Sequence, residues 1–123
     1  MIRIVTIIAI LTALPACAEY ERPSYNLVVK EDGLEIRDYA SAIVVETQVS
    51  ASRRDAAGEA FRSLFNYISG NNTSNLEIPM TAPVAQTPAG KGQDGVGGKW
   101  AIRFFLPSNY SVESTPQPLQ QGI

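Results

Sequence analysis

Apolar and polar positions alternate through residues 26–49 in the manner of half-buried strands. Leu27, Val28 and Val29 mark a strand over Asn26–Lys30, closed by a turn at Glu31-Asp32-Gly33. Asp-Gly between two apolar runs predicts a hairpin, because both turn residues accept positive φ. The returning strand begins at Leu34, with Leu34 and Ile36 on one side and Glu35, Arg37 and Tyr39 on the other. After a break near Ala40-Ser41, Ile43, Val45, Thr47 and Val49 share a face, with Glu46 and Gln48 opposite. The spacing then becomes helical. Over Arg53–Ser69, Ala57, Ala60, Phe61, Leu64, Phe65 and Ile68 form one apolar stripe, while Arg54, Asp55, Glu59, Arg62 and Asn66 lie outside it. Ser52 with Asp55 predicts the N-cap, and Gly70 the left-handed C-cap. Pro79 and Pro83 make Ile78–Gln86 extended rather than helical. Pro88–Gly98 reads as a flexible connection, and Trp100–Leu106 as a strand with Trp100, Ile102, Phe104 and Leu106 on one face. Beyond Tyr110 the pattern fades into a polar tail, and 119–123 is expected to be an unstructured end.

These elements make an α+β domain, one long helix packed on an antiparallel sheet. Its 123 residues suit one core and no more. No predicted element covers the second face of the sheet or its edges, which folded proteins normally protect. The pattern therefore predicts self-association through the uncovered sheet, or an incomplete chain.

The front of the chain reads as an address. Arg3 precedes an 11-residue run without charge, Ile4–Leu14, and Ala16-Cys17-Ala18 supplies small residues for cleavage after Ala18. As a helix that run spans about 16 Å, too short for a bilayer core of about 30 Å. Residues 1–18 are thus expected to be a secretory signal. Leu14-Pro15-Ala16-Cys17 also resembles a bacterial lipobox, in which 1–16 would be removed and Cys17 lipidated. Either route exports the protein, to a bacterial periplasm or to a lipid anchor in the envelope. Lipidated Cys17 would be its only link to a membrane.

Composition narrows the chemistry. Ten Lys and Arg against twelve Asp and Glu give a net charge of −2, without the basic footprint that nucleic acid requires. The chain has no histidine, which removes His-based triads, imidazole ligation and the usual proton shuttle near neutral pH. A single cysteine forms no intrachain disulfide. With no nucleophile–base pair to assemble, the expectation is a binding protein rather than an enzyme. Gly90-Lys91-Gly92-Gln93-Asp94-Gly95 matches G-x-G-x-x-G, but a strand rather than a helix follows it, so it reads as a loop and not a phosphate cradle.

Several stretches, in this order and spacing, resemble the SOUL haem-binding family. They are Leu34 through Tyr39, Ala60-Phe61 with Leu64-Phe65, Tyr67 through Asn72, Ile78 through Val84, and Phe104 through Tyr110. The glycine-asparagine loop followed by I-x-M-T-x-P-V is the specific part. The resemblance covers about Ser24–Pro118 and corresponds to the N-terminal half of the family's domain, the first β-α-β-β half of a distorted barrel. What it implies is a haem or other tetrapyrrole bound in an apolar cleft beside the first helix. Family residues at the positions of Gly58, Phe61, Phe65 and Asn66 line that cleft. Phe61 and Phe65 keep its apolar character, whereas Gly58 and Asn66 replace basic residues that would pair with propionates. Arg62 is the candidate substitute. Met80 or a tyrosine is an alternative iron ligand, with apolar enclosure and no axial bond the expected mode. The other readings are a generic hydrophobic-ligand carrier or sensor, and an interaction module using an exposed apolar face.

Overall fold

A computed structural model of the chain describes residues 19–90 and 98–123. Met1–Ala18 with its processing residues Cys17 and Ala18, and residues 91–95 of the glycine motif, lie outside the described residues. The elements run β1 (Tyr25–Glu31), β2 (Leu34–Tyr39), β3 (Val44–Ala51), α1 (Arg53–Ile68), β4 (Val84–Gly90) and β5 (Gly98–Phe105). They form two antiparallel sheets, a β1-β2 hairpin and a three-stranded sheet ordered β3-β5-β4, with α1 packed on the latter. The α+β expectation holds, and among the described residues the strands do not close into a barrel. No described helix is long and apolar enough to cross a membrane.

The hairpin forms where the Asp-Gly turn predicts it. Asp32 and Gly33 have φ of 43° and 84°, and Glu31 pairs with Leu34. In the larger sheet β5 is central, and its alternation sets the core. Ile102 and Phe104 are buried beneath the helix, with Val45 opposite Phe104. On the other face Glu46 lies opposite Arg103 and pairs with it, and the Arg103 guanidinium also donates to Thr87 at 2.9 Å. That polar ladder lets one face of the sheet meet water.

Both ends of α1 follow from local chemistry. The Ser52 hydroxyl accepts from the Asp55 N–H at 3.2 Å and donates to the Asp55 carboxylate at 2.7 Å. At the other end Gly70 has φ 110°, its N–H donates to the Tyr67 carbonyl, and the Asn71 N–H donates to the Asn66 carbonyl. This is a Schellman closure, which satisfies carbonyls the helix leaves open.

The roll of the helix differs from the stripe in the sequence. The buried residues are Ala56, Ala60, Leu64, Tyr67 and Ile68. Phe61 and Phe65 remain 39% and 45% exposed. Tyr67 accounts for the difference. Its ring enters the core because its hydroxyl donates to the buried Pro116 carbonyl at 2.7 Å, so a residue that reads as amphipathic displaces the phenylalanines to the shoulder. Ala56 and Ala60, both fully buried, let the helix seat closely on the sheet.

A second difference follows α1. The extended segment from Ile78 is irregular until a cis Ala82–Pro83 bond, and the strand then runs from Val84 through Pro88 to Gly90. Pro88 therefore lies in a strand and not in the flexible connection. It is tolerated because β4 is an edge strand, and the register shifts between Pro88 and Gly90. The tail is also tied down. Thr73 and Gln117 exchange two hydrogen bonds, Thr47 donates to the Gly122 carbonyl at 2.7 Å, and Gln120 donates to Ser63. Residues 119–123 contain neither helix nor strand.

Asn72 knots the loop after the helix. Its side chain is fully buried and makes four hydrogen bonds. The amide donates to the Tyr67 and Leu76 carbonyls, and its oxygen accepts from the Ser74 and Leu76 N–H groups. Asn72→Asp replaces both donated bonds by a carboxylate facing two carbonyls. It should cost about 3 kcal/mol or more in a urea melt, with the cap geometry lost from amide exchange.

The titratable groups predict the pH profile. Hydrogen bonding from Ser108 to Glu21, from Arg37 to Glu35 and from Gln48 to Glu46 holds all three carboxyls below the usual range. A depressed folded pKa contributes stability above the unfolded value of 4.5 that is lost as pH falls through the folded values. Burial raises the Tyr67 phenol, whose contribution is present below its ordinary pKa of 10.0 and is lost above it. With no histidine, denaturant melts should give a flat profile from about pH 5 to about pH 9, falling below it as the carboxyls protonate and above pH 10.0 as Tyr67 ionises.

Candidate functional site

The cleft beside α1 follows from which strands the helix covers. Helix α1 packs mainly over β3 and β5. The cross-strand partners Val84–Phe104, Gln86–Ile102 and Pro88–Trp100 place one face of β4 on the same side as the helix. On that face Gln86 bridges to the start of the helix, donating to the Arg53 carbonyl at 2.7 Å, while Val84 is 41% exposed and leaves the face open. Phe61 and Phe65, one helical turn apart, form the opposing wall. Their rings stack with centroids 5.9 Å apart and planes 11° from parallel. Phe104 forms the floor, with its ring meeting Phe61 edge-on at 5.2 Å. The result is an aromatic groove with one open side.

The structure brings together two of the three binding residues expected from sequence, Phe61 and Phe65. Arg62 follows Phe61 by about 100° around the helix and points further from the core than either phenylalanine. Arg54 is better placed, although it reads as an outer-face residue in the sequence. Arg54, Gly58, Phe61 and Phe65 recur at i, i+4, i+7 and i+11 and so share one shoulder of α1. An added Cβ at Gly58 would meet nothing within 4 Å, so that shoulder is open between the arginine and the rings. Phe104 and Val84 belong to the groove too. Only the β4–β5 register reveals them, while the spacing of Arg54 is visible in the sequence. Met80 is partly buried and packs against the core cluster.

A second concavity lies elsewhere. A cavity of about 330 Å³ sits at the neck between the hairpin and the sheet, lined by Glu21, Ser24, Ile43, Thr81, Phe105 and Tyr110 among others. The Glu21 carboxylate there accepts from the Ser108 N–H at 2.8 Å. None of Phe61, Phe65 and Arg62 lines it. Its walls mix Ile43, Phe105, Leu106 and Tyr110 with Ser24, Thr81 and the Glu21 carboxylate, whereas the helix groove presents a stacked pair of aromatic rings. For a flat apolar ligand the groove is the better match, although the neck cavity is more enclosed. Among the described residues no group of three or more His, Cys, Asp or Glu side chains is placed to hold a metal ion.

Comparison with known proteins agrees with the motifs. The family described as SOUL heme-binding protein matches residues 20–123, a wider span than Ser24–Pro118. The chain is also similar to a human protein named Heme-binding protein 2, at 31% identity over 90 residues. That alignment takes in 72% of this chain and 43% of the relative, so the chain spans less than half the relative's length.

Proposed function

Because the chain belongs to the SOUL heme-binding protein family, we propose that it binds haem or a related tetrapyrrole, without catalysis, in the groove of Phe61, Phe65, Phe104 and Val84. The observation that carries this reading is the stacked phenylalanine pair held half-exposed beside the open Val84 end of β4. Leaving two aromatic rings in water is unfavourable by about 25 cal/mol per Å² of apolar surface, and a flat apolar ligand recovers that energy.

The residues suit the faces of a macrocycle better than they suit its metal. No imidazole exists in the chain, and Met80, partly buried, packs against the core cluster and not in the groove wall described above. Apolar enclosure therefore does the holding. Arg54, at the far end of the same shoulder, supplies a cation for a ligand carboxylate, with Arg62 the less well placed alternative. A bound haem would itself supply the redox-active iron. The protein's part is to stack, to exclude water from one face and to orient the acid groups. We propose separately that Met1–Ala18 directs export, on the basis of Arg3, the uncharged run and the Ala16-Cys17-Ala18 site. Intact mass of the secreted chain tests it. Cleavage after Ala18 or acylation of Cys17 is expected, and an unprocessed cytoplasmic chain overturns it.

Titration with ferric haem should give a saturable Soret shift and quench Trp100, the only tryptophan. Phe61→Ala with Phe65→Ala should weaken binding tenfold or more, about 1.4 kcal/mol. Both rings are half-exposed, so the fold should survive. Arg54→Ala should weaken binding several-fold and Arg62→Ala much less. Absence of saturable binding overturns the tetrapyrrole reading. An apolar dye that binds the groove while haem does not would point to a generic hydrophobic-ligand carrier.

A further inference from the structure

The β1-β2 hairpin stands apart from the body of the protein. Its strands pair only with each other among the described residues. Leu34 and Ile36 on one face are 63% and 50% exposed. A lone two-stranded hairpin is marginal in water, and three or more strands are normally needed for stability. Among the described residues the hairpin therefore lacks a neighbour.

The free edges differ. The β1 edge is broken by a bulge between Leu27 and Val29, which twists it away from further pairing. The β2 edge is regular from Leu34 to Tyr39. The Ala40 N–H donates to the Ser24 carbonyl, so the backbone groups of Ala40, Asp38 and Ile36 point toward β1. Those of Glu35, Arg37 and Tyr39 then point outward. They are ready to bond another strand.

The charges on β2 select which strand. When two copies of β2 run antiparallel about a two-fold axis at Ile36, Glu35 lies opposite Arg37 of the partner subunit, and Arg37 opposite Glu35 of the partner subunit. Each of these pairs also exchanges both backbone hydrogen bonds. Ile36 faces Ile36 of the partner subunit across a non-hydrogen-bonded position, where the Cα atoms are about 4.5 Å apart. Sliding by two residues either way sets Glu35 against Glu35 or Arg37 against Arg37. Sliding by one puts facing side chains on opposite sides of the sheet. One register satisfies both charge and pleat.

We propose that β2 docks on β2 of a second copy in this register, joining two hairpins into a four-stranded antiparallel sheet. The inference does not rest on haem binding. Within one chain Glu35 already pairs with Arg37 and with Lys30 at 3.2 Å, so the interface extends an existing charge cluster. The interface is isologous, and its closure limits assembly to a dimer.

Sedimentation velocity on the full chain should show a dimer at micromolar concentration. Glu35→Arg alone and Arg37→Glu alone place like charges across the interface and should each weaken association at least tenfold. Mixing the two variants restores opposite charges at both positions. A dimer of one copy each should therefore reappear in native mass spectrometry. A purely intrachain role for the Glu35–Arg37 pair would not be rescued by mixing. Ile36→Cys should give an oxidised dimer and Leu34→Cys, which faces Asp38 of the partner subunit, should not. A monomeric wild-type chain, a dimer indifferent to both charge reversals, or variants that fail to pair on mixing would overturn the proposal.

Discussion

The hydrogen bond from the Tyr67 hydroxyl to the Pro116 carbonyl fixes the roll of the helix, and the placement of the groove depends on that angle. A phenol is buried without penalty only when its oxygen finds a partner. The irregular segment after β5 supplies one. With Tyr67 turned inward, Phe61 and Phe65 lie on the shoulder, Arg54 comes into line with them, and β4 keeps an open face. The same bond ties the C-terminal segment to the helix end, where Asn72 completes the knot with the Tyr67 carbonyl. Fold and groove therefore share a single polar anchor, placed at the opposite side of α1 from the aromatic rings.

Around that anchor the molecule divides into two parts with different physics. The body is a helix on a sheet, with a continuous core and a polar outer ladder of Glu46, Arg103 and Thr87. The hairpin has an ion-pair cluster and aromatic contacts on one face and aliphatic side chains on the other. The Arg37 guanidinium lies 4.4 Å from the Tyr25 ring centroid, and Tyr25 packs against Tyr39. Such contacts are local and hold a shape. They do not bury enough apolar surface to stabilise two strands alone.

The sequence is most legible where a single residue controls local backbone. Asp32-Gly33, Ser52 with Asp55, and Gly70 each read as turn or cap, and each acts as one. Strand alternation likewise places Val45, Ile102 and Phe104 on the core side. The roll of α1 is not legible, because a spacing pattern scores Tyr67 below Phe61 and cannot see a carbonyl 49 residues away. Val84–Gly90 is hidden because proline reads as a strand breaker unless the strand is known to lie at an edge. For the groove, Phe61 and Phe65 can be named from the helix alone. Phe104 and Val84 require the pairing of β4 with β5, which no local signal encodes. The motifs that carry the family resemblance are partly architectural: Asn72 is spent entirely on hydrogen bonds within its own loop.

The tail contacts bear on the order of folding. Thr47 reaches Gly122 across 75 positions, and Ser63 and Tyr67 reach Gln120 and Pro116 across 57 and 49. These pairings give the body a high contact order, so closing it means first losing the entropy of long loops. The hairpin closes over a two-residue turn, an event on the order of microseconds. During synthesis it can therefore form long before residues 116–122 exist, and it waits with its aliphatic face in solvent. Closure of the body does not cover that face, with Leu34 and Ile36 still 63% and 50% exposed, so the hairpin is adhesive from its first appearance in synthesis onward.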